Sequence, residues 1–85
     1  MARYRVVVRK SVSKDMKGIP QKDTLRILSM IKSLANNPRQ QGVKKLSGQE
    51  RYRIRQGNYR ILYEIKDDKL IVCVVKVGNR RDVYQ

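Results

Sequence analysis

Between Arg51 and Val77 the hydrophobic pattern changes period, and this change most limits the possible folds. Tyr52 and Ile54 alternate with Arg51, Arg53 and Arg55, and Tyr59, Ile61, Tyr63 and Ile65 alternate in the next run. A period of two is the mark of a strand with one face buried. Gln56-Gly57-Asn58 separates the two runs, and Gly and Asn tolerate the positive φ of a tight turn. Asp67-Asp68 marks a second hairpin connection, after which Leu70–Val77 is almost wholly apolar. That run predicts a central strand buried on both faces.

Upstream, Tyr4, Val6 and Val8 alternate with Arg5, Val7 and Arg9, a first strand. Lys10–Lys17 predicts a short helix capped by Ser11 or Ser13, with Gly18 past its end. A longer helix opens at Ile19-Pro20, because proline is tolerated in a first helical turn. Within it Leu25, Leu28, Ile31, Leu34 and Ala35 recur at steps of three and four, predicting the core-facing stripe. Asn36-Asn37-Pro38 ends it, Val43–Leu46 is a short candidate strand and Ser47–Glu50 a turn. The expected fold class is α+β. An N-terminal strand and two helices pack on one face of a four- to five-stranded, mainly antiparallel sheet, leaving the other face open. At 85 residues the expectation is one domain, 1–85, burying only somewhat more than half of its unfolded surface.

Lys and Arg total 21 against seven Asp and Glu, a formal charge of +14. Charge of one sign at this density opposes the compact state, so it points to a polyanion or an acidic partner. No histidine is present, which removes the imidazole base and the histidine metal ligand, and a lone Cys73 cannot build a zinc site. No metal and no cofactor are expected. Cys73 lies in the apolar run and reads as a small buried hydrophobe. The N-terminus lacks a signal-peptide core and no run reaches membrane-spanning length, so a cytoplasmic location and no membrane partner are expected.

Arg51, Arg53 and Arg55 fall on one side of their strand, and Arg60 opens the next strand just across the turn. Guanidiniums so close repel one another unless an anion sits among them, and their planar fork suits phosphate oxygens. A solvated, aggregation-resistant sheet face is the plain alternative. What weighs against it is density: Lys44, Lys45, Arg51, Arg53, Arg55 and Arg60 share that stretch with Glu50 alone. A second basic cluster, Arg80-Arg81 with Tyr84, follows the central strand, and the tyrosine ring could stack on an unpaired base or pack on the sheet. The basic residues of the helix, Lys22, Arg26 and Lys32, read as solvation.

Lys44-Lys45-Leu46-Ser47-Gly48, Tyr52-Arg53-Ile54-Arg55, Gly57-Asn58-Tyr59-Arg60-Ile61 and the stretch from Val77-Gly78-Asn79-Arg80 to Val83-Tyr84 together resemble the RelE/ParE toxin superfamily, its RelE branch in particular. The resemblance implies a toxin that cleaves messenger RNA in the ribosomal decoding site and is neutralised by an acidic cognate antitoxin, with a toxin–antitoxin heterotetramer as a possible assembly. It implies catalytic roles for Arg53 and Arg55, transition-state stabilisation by Arg60, leaving-group protonation by Arg80 and base stacking by Tyr84. Lys44, Lys45, Arg51 and Arg81 would contact RNA. The chain departs from the pattern where Arg53 and Arg55 stand in place of lysines, since arginine practically cannot serve as a base. A gyrase-inhibiting toxin of the ParE branch and a non-catalytic RNA-binding module are the alternatives.

Overall fold

The computed structural model describes residues 3–46 and 51–79. Its elements run β1 (Arg5–Val8), α1 (Lys10–Met16), α2 (Gln21–Ser33), β2 (Lys44–Lys45), β3 (Arg51–Gln56), β4 (Tyr59–Lys66) and β5 (Ile71–Asn79). The five strands form one mixed sheet in the order β1-β5-β4-β3-β2. β1 runs parallel to β5, while the β2–β3, β3–β4 and β4–β5 pairs are antiparallel. The α+β class and the placement of strand, two helices and meander are as expected. The parallel β1–β5 pair follows from the two intervening helices, which carry the chain back across the sheet.

The alternation of β3 and β4 sets the core. Tyr52, Ile54, Ile61, Tyr63 and Ile65 face the helices and pack with Val72, Val74 and Val77 of β5 and with Val12, Ile27, Ile31 and Leu34. The β4–β5 ladder slips at Leu62/Tyr63: Leu62 pairs with Lys76 but Tyr63 pairs with Val74. The extra residue, Val75, turns to the opposite face and packs there with Leu62, Leu46 and Cys73. So β5 is apolar over Ile71–Val75 because that stretch packs on both faces of the sheet, while Lys76 is exposed, and Cys73 is half-buried in the smaller apolar cluster.

Several local expectations are corrected. α1 has Arg9 at its N-cap with no side-chain cap, because the Ser13 hydroxyl donates inside the helix to the Lys10 carbonyl at 2.7 Å. Pro20 is the N-cap of α2, not a residue of its first turn. The helix buries Ile27 and Ile31, while Leu25 is 60% and Leu28 41% exposed, so the core stripe is rotated from the predicted one. β2 is two residues long, and β5 continues through Gly78-Asn79, which do not break it.

A polar latch closes the end of the sheet opposite the Gly57 turn. Asp67 accepts a bidentate pair from Arg39 at 3.0 and 2.8 Å and a further bond from the Tyr4 hydroxyl at 2.6 Å. These bonds hold the Asp67 carboxyl down at about 2. The Arg39 guanidinium lies 5.5 Å from the centre of the Tyr52 ring, which stacks on Tyr63 at 5.9 Å. The Tyr63 hydroxyl donates to the Pro38 carbonyl at 2.6 Å, and burial pushes its pKa up.

Candidate nucleic-acid interface

Residues directly opposed across a ladder share a face, so the register maps the side of the sheet away from the helices. One row comprises Lys44, Arg53, Leu62 and Lys76, on four successive strands. At roughly 4.8 Å per strand it spans about 14 Å. The next row toward the Gly57 turn is Arg55, Arg60 and Gly78, and the row on the other side holds Arg51, Glu64 and Cys73. Cationic side chains thus surround an apolar floor of Leu62 and Val75 with Leu46 and Cys73 packed against it.

The charges on this face are unequally engaged. Arg51 is tied to Glu64 through its Nε at 3.3 Å, a half-exposed pair. Among the described residues no carboxylate pairs with Lys44, Arg53, Arg55 or Lys76. Glu64 is the single described carboxylate in these three rows, so the potential here is positive. Arg60 is 3% exposed although its neighbour Arg55 is exposed. Its partner on the β5 side is Gly78, which has no side chain.

The geometry brings together Lys44, Arg53 and Arg55, with buried Arg60 opposite Arg55, and sets Arg51 one row away against Glu64. It separates Lys45, whose partner is Tyr52, and which therefore sits on the helix-side face. Lys44 and Lys45, both expected to contact RNA, therefore lie on opposite faces of the sheet, because neighbours on a strand face opposite ways. Arg80, Arg81 and Tyr84, and the Ser47–Glu50 turn, lie outside the described residues. Lys76 went unread in the sequence. Its signal was a single cation inside Val74-Val75-Lys76-Val77, and the bulge at Val75 brings it onto the row of Arg53.

The end of the sheet near the Gly57 turn carries a cavity of about 300 Å³ lined by Asp15, Tyr59, Lys76 and Asn79 among others. One Asp15 oxygen accepts the Val77 backbone N–H at 3.2 Å, so this carboxylate fixes the end of β5. Desolvation and nearby Asp23 raise the Tyr59 pKa. Among the described residues no group of three side chains is arranged to hold a metal ion, and no helix is long and apolar enough to cross a membrane.

Known proteins share this sequence pattern and fold. Residues 6–84 match the model of the ParE toxin of the type II toxin–antitoxin system parDE. Toxin RelE3 of Methanocaldococcus jannaschii is 34% identical, over 94% of each chain. The archaeal RelE–RelB complex from Pyrococcus horikoshii contains a chain that superposes with a TM-score of 0.80 at 30% identity, covering 94% of this chain and 97% of that one. The toxin–antitoxin complex RelBE2 from Mycobacterium tuberculosis shares the fold, with a TM-score of 0.82 at 23% identity over 92% of this chain and 99% of that one. The chain belongs to the ParE toxin family of type II toxin–antitoxin systems, within the RelE/ParE superfamily, and is a RelE-type toxin.

Proposed function

We propose that this toxin is an endoribonuclease that cuts messenger RNA in the ribosomal decoding site. The observation that carries the reading is the row of Lys44, Arg53 and Lys76 beside Arg55, four cations without a described carboxylate partner around an apolar floor. Phosphates sit on the cationic rim and a base lies against Leu62 and Val75. In the reaction the RNA 2′-oxygen attacks the adjacent phosphorus, the bond to the 5′-oxygen breaks, and a 2′,3′-cyclic phosphate and a 5′-hydroxyl result. One proton leaves the 2′-hydroxyl and one is delivered to the departing oxygen.

Arg53 and Arg55 hold the phosphate in line and offset the charge of the phosphorane-like transition state. Arg60 adds potential from its buried place, where a charge acts through a less polar medium. Arg80 is the proton donor to the 5′-oxygen and Tyr84 the stacking ring, as the resemblance implies, with Arg81 an outer phosphate contact. Arginine does not accept the 2′-proton at neutral pH, so that proton passes to water or to a ribosomal group. An acidic antitoxin of the RelB kind neutralises the toxin in the cytoplasm, and the pair assembles as a heterotetramer. The P. horikoshii relative was solved as a RelE–RelB complex.

Because the matching family model carries the ParE name, gyrase inhibition is the second reading. One experiment separates them. Purified toxin is added to translating ribosomes and, in parallel, to DNA gyrase with plasmid DNA. Cut message with intact plasmid is expected. Broken plasmid with intact message would transfer the toxin to the gyrase-directed branch.

A further inference from the structure

β1 pairs with β5 only over Ile71–Val74. Beyond Val74 the same edge of β5 meets α1, where one Asp15 oxygen accepts the Val77 amide at 3.2 Å. The second oxygen of that carboxylate receives no hydrogen bond among the described residues, and Asp15 lines the cavity at this end of the sheet. Tyr59 forms another part of the lining, its hydroxyl donating to Asp23 at 3.4 Å. Gly18 lines it too, and a Cβ added there would meet nothing within 4 Å.

Two of the lining residues also belong to the cationic face. Lys76 shares a row with Arg53, and Gly78 shares the next row with Arg60 and Arg55. Gly78 lies two strands from Arg55, about 10 Å. The cavity of about 300 Å³ is at the small end of the range for small-molecule sites, a volume for one base and not for a paired helix. We propose that it is a base-reading subsite. It takes one unpaired adenine or cytosine of the bound RNA, whose exocyclic amino group donates to the second Asp15 oxygen. The inference rests on RNA binding by the open face and not on cleavage.

The chemistry of the lining selects the occupant. An ionised carboxylate accepts hydrogen bonds and donates none. Cytosine offers it the N4 amino group, whereas uracil has a carbonyl oxygen at the same position, and adenine and hypoxanthine differ likewise at the six-position. The Tyr59 ring gives the base an aromatic surface. Asp15 repels phosphate, so the backbone stays on the cationic rows and a base alone turns over the end of β5. Capping the Val77 amide occupies one oxygen of Asp15, and the base uses the other.

The test titrates the full chain, by fluorescence anisotropy at low salt, with short 2′-O-methyl oligouridylates that carry one cytidine at each position in turn. The methyl group bars cleavage through the 2′-oxygen, so binding alone is read. One position is expected to favour cytidine over uridine by about five- to ten-fold, and adenosine over inosine by a similar factor. Asp15→Asn keeps an oxygen for the Val77 amide and turns the second acceptor into a donor. It should hold its melting midpoint and reverse the preference toward uridine. Gly18→Leu, which places a side chain in the open space, should erase the preference. Arg53→Gln/Arg55→Gln should weaken all the oligonucleotides by the same factor. Binding with no position that prefers cytidine would overturn the subsite and leave the RNA face standing. So would an Asp15→Asn variant that melts like the parent and keeps its preference. If Asp15→Asn does not fold, Gly18→Leu decides, and an undiminished preference in it overturns the subsite. Failure of every oligonucleotide to bind would remove the subsite and the RNA reading together.

Discussion

Arg55 and Arg60 are direct cross-strand partners in the β3–β4 hairpin, one exposed and the other 3% accessible. Like charges placed opposite each other destabilise a sheet by about 0.2–1 kcal/mol, so the pair weakens the free toxin while suiting it to an anion. Arg55→Gln should therefore raise the unfolding free energy by roughly that amount and lower RNA affinity. Denaturant unfolding and RNA titration on the same preparation check both signs. A destabilised Arg55→Gln would mean that the pair is already compensated.

Lys44, Arg53 and Lys76 should each contribute to the salt dependence of RNA binding, whereas Lys45, on the opposite face, should not. For single strands each neutralised phosphate adds about 0.7 to the slope of log K against log salt. Arg53→Gln and Lys76→Gln should each flatten the slope by about that much, and Lys45→Gln should leave it unchanged. The comparison is made by titrating a short RNA at several salt concentrations.

This division was only partly legible in the sequence. The strand pairing of β3 and β4, the turn between them and the side of Arg53 and Arg55 follow from a period of two, which is a local property. The separation of Lys44 from Lys45 was legible too, had the alternation been carried into so short a strand. Lys76 reaches the row only through the bulge at Val75, and a bulge leaves no mark in hydrophobic pattern. The phase of α2 was misread because the helix has two apolar stripes, and periodicity alone does not say which one meets the sheet. Arg39 and Asp67 are 28 residues apart and exposed, so nothing local announced their pairing.

That pairing has a pH signature. The Asp67 pKa is lowered from 3.8 to about 2, first by the Arg39 bonds and then by the Tyr4 hydroxyl. A carboxyl depressed in the folded state contributes stability above its unfolded value and loses it as pH falls through the folded one. The stability gap between the parent and Asp67→Asn should thus be constant above about pH 4 and close between pH 4 and pH 2. Melting midpoints across that range read the gap. A gap that persists at pH 2 would locate the effect of the substitution elsewhere.

Leu70 sits at φ 53, in the left-handed region that a branched side chain adopts at a cost of about 1–2 kcal/mol. It is also exposed, so little burial is lost on replacing it. Leu70→Gly should raise the melting midpoint by a few degrees, since the relief exceeds glycine's entropic penalty of about 0.5–1 kcal/mol. Gly57→Ala, at φ 60, should lower it. Calorimetry of the two variants gives opposite signs if the backbone conformations are as described.

The central claim is that the Arg53–Arg55 face cuts translated RNA, and mapping RNA ends in cells after induction tests it most directly. With the parent toxin, new 5′-hydroxyl ends paired with 2′,3′-cyclic phosphates should accumulate inside translated regions and be absent from untranslated ones. With Arg53→Gln/Arg55→Gln, which keeps the fold because both positions lie on the open face, those ends should disappear. Growth arrest by the parent toxin with no new ends in translated messages would contradict the account.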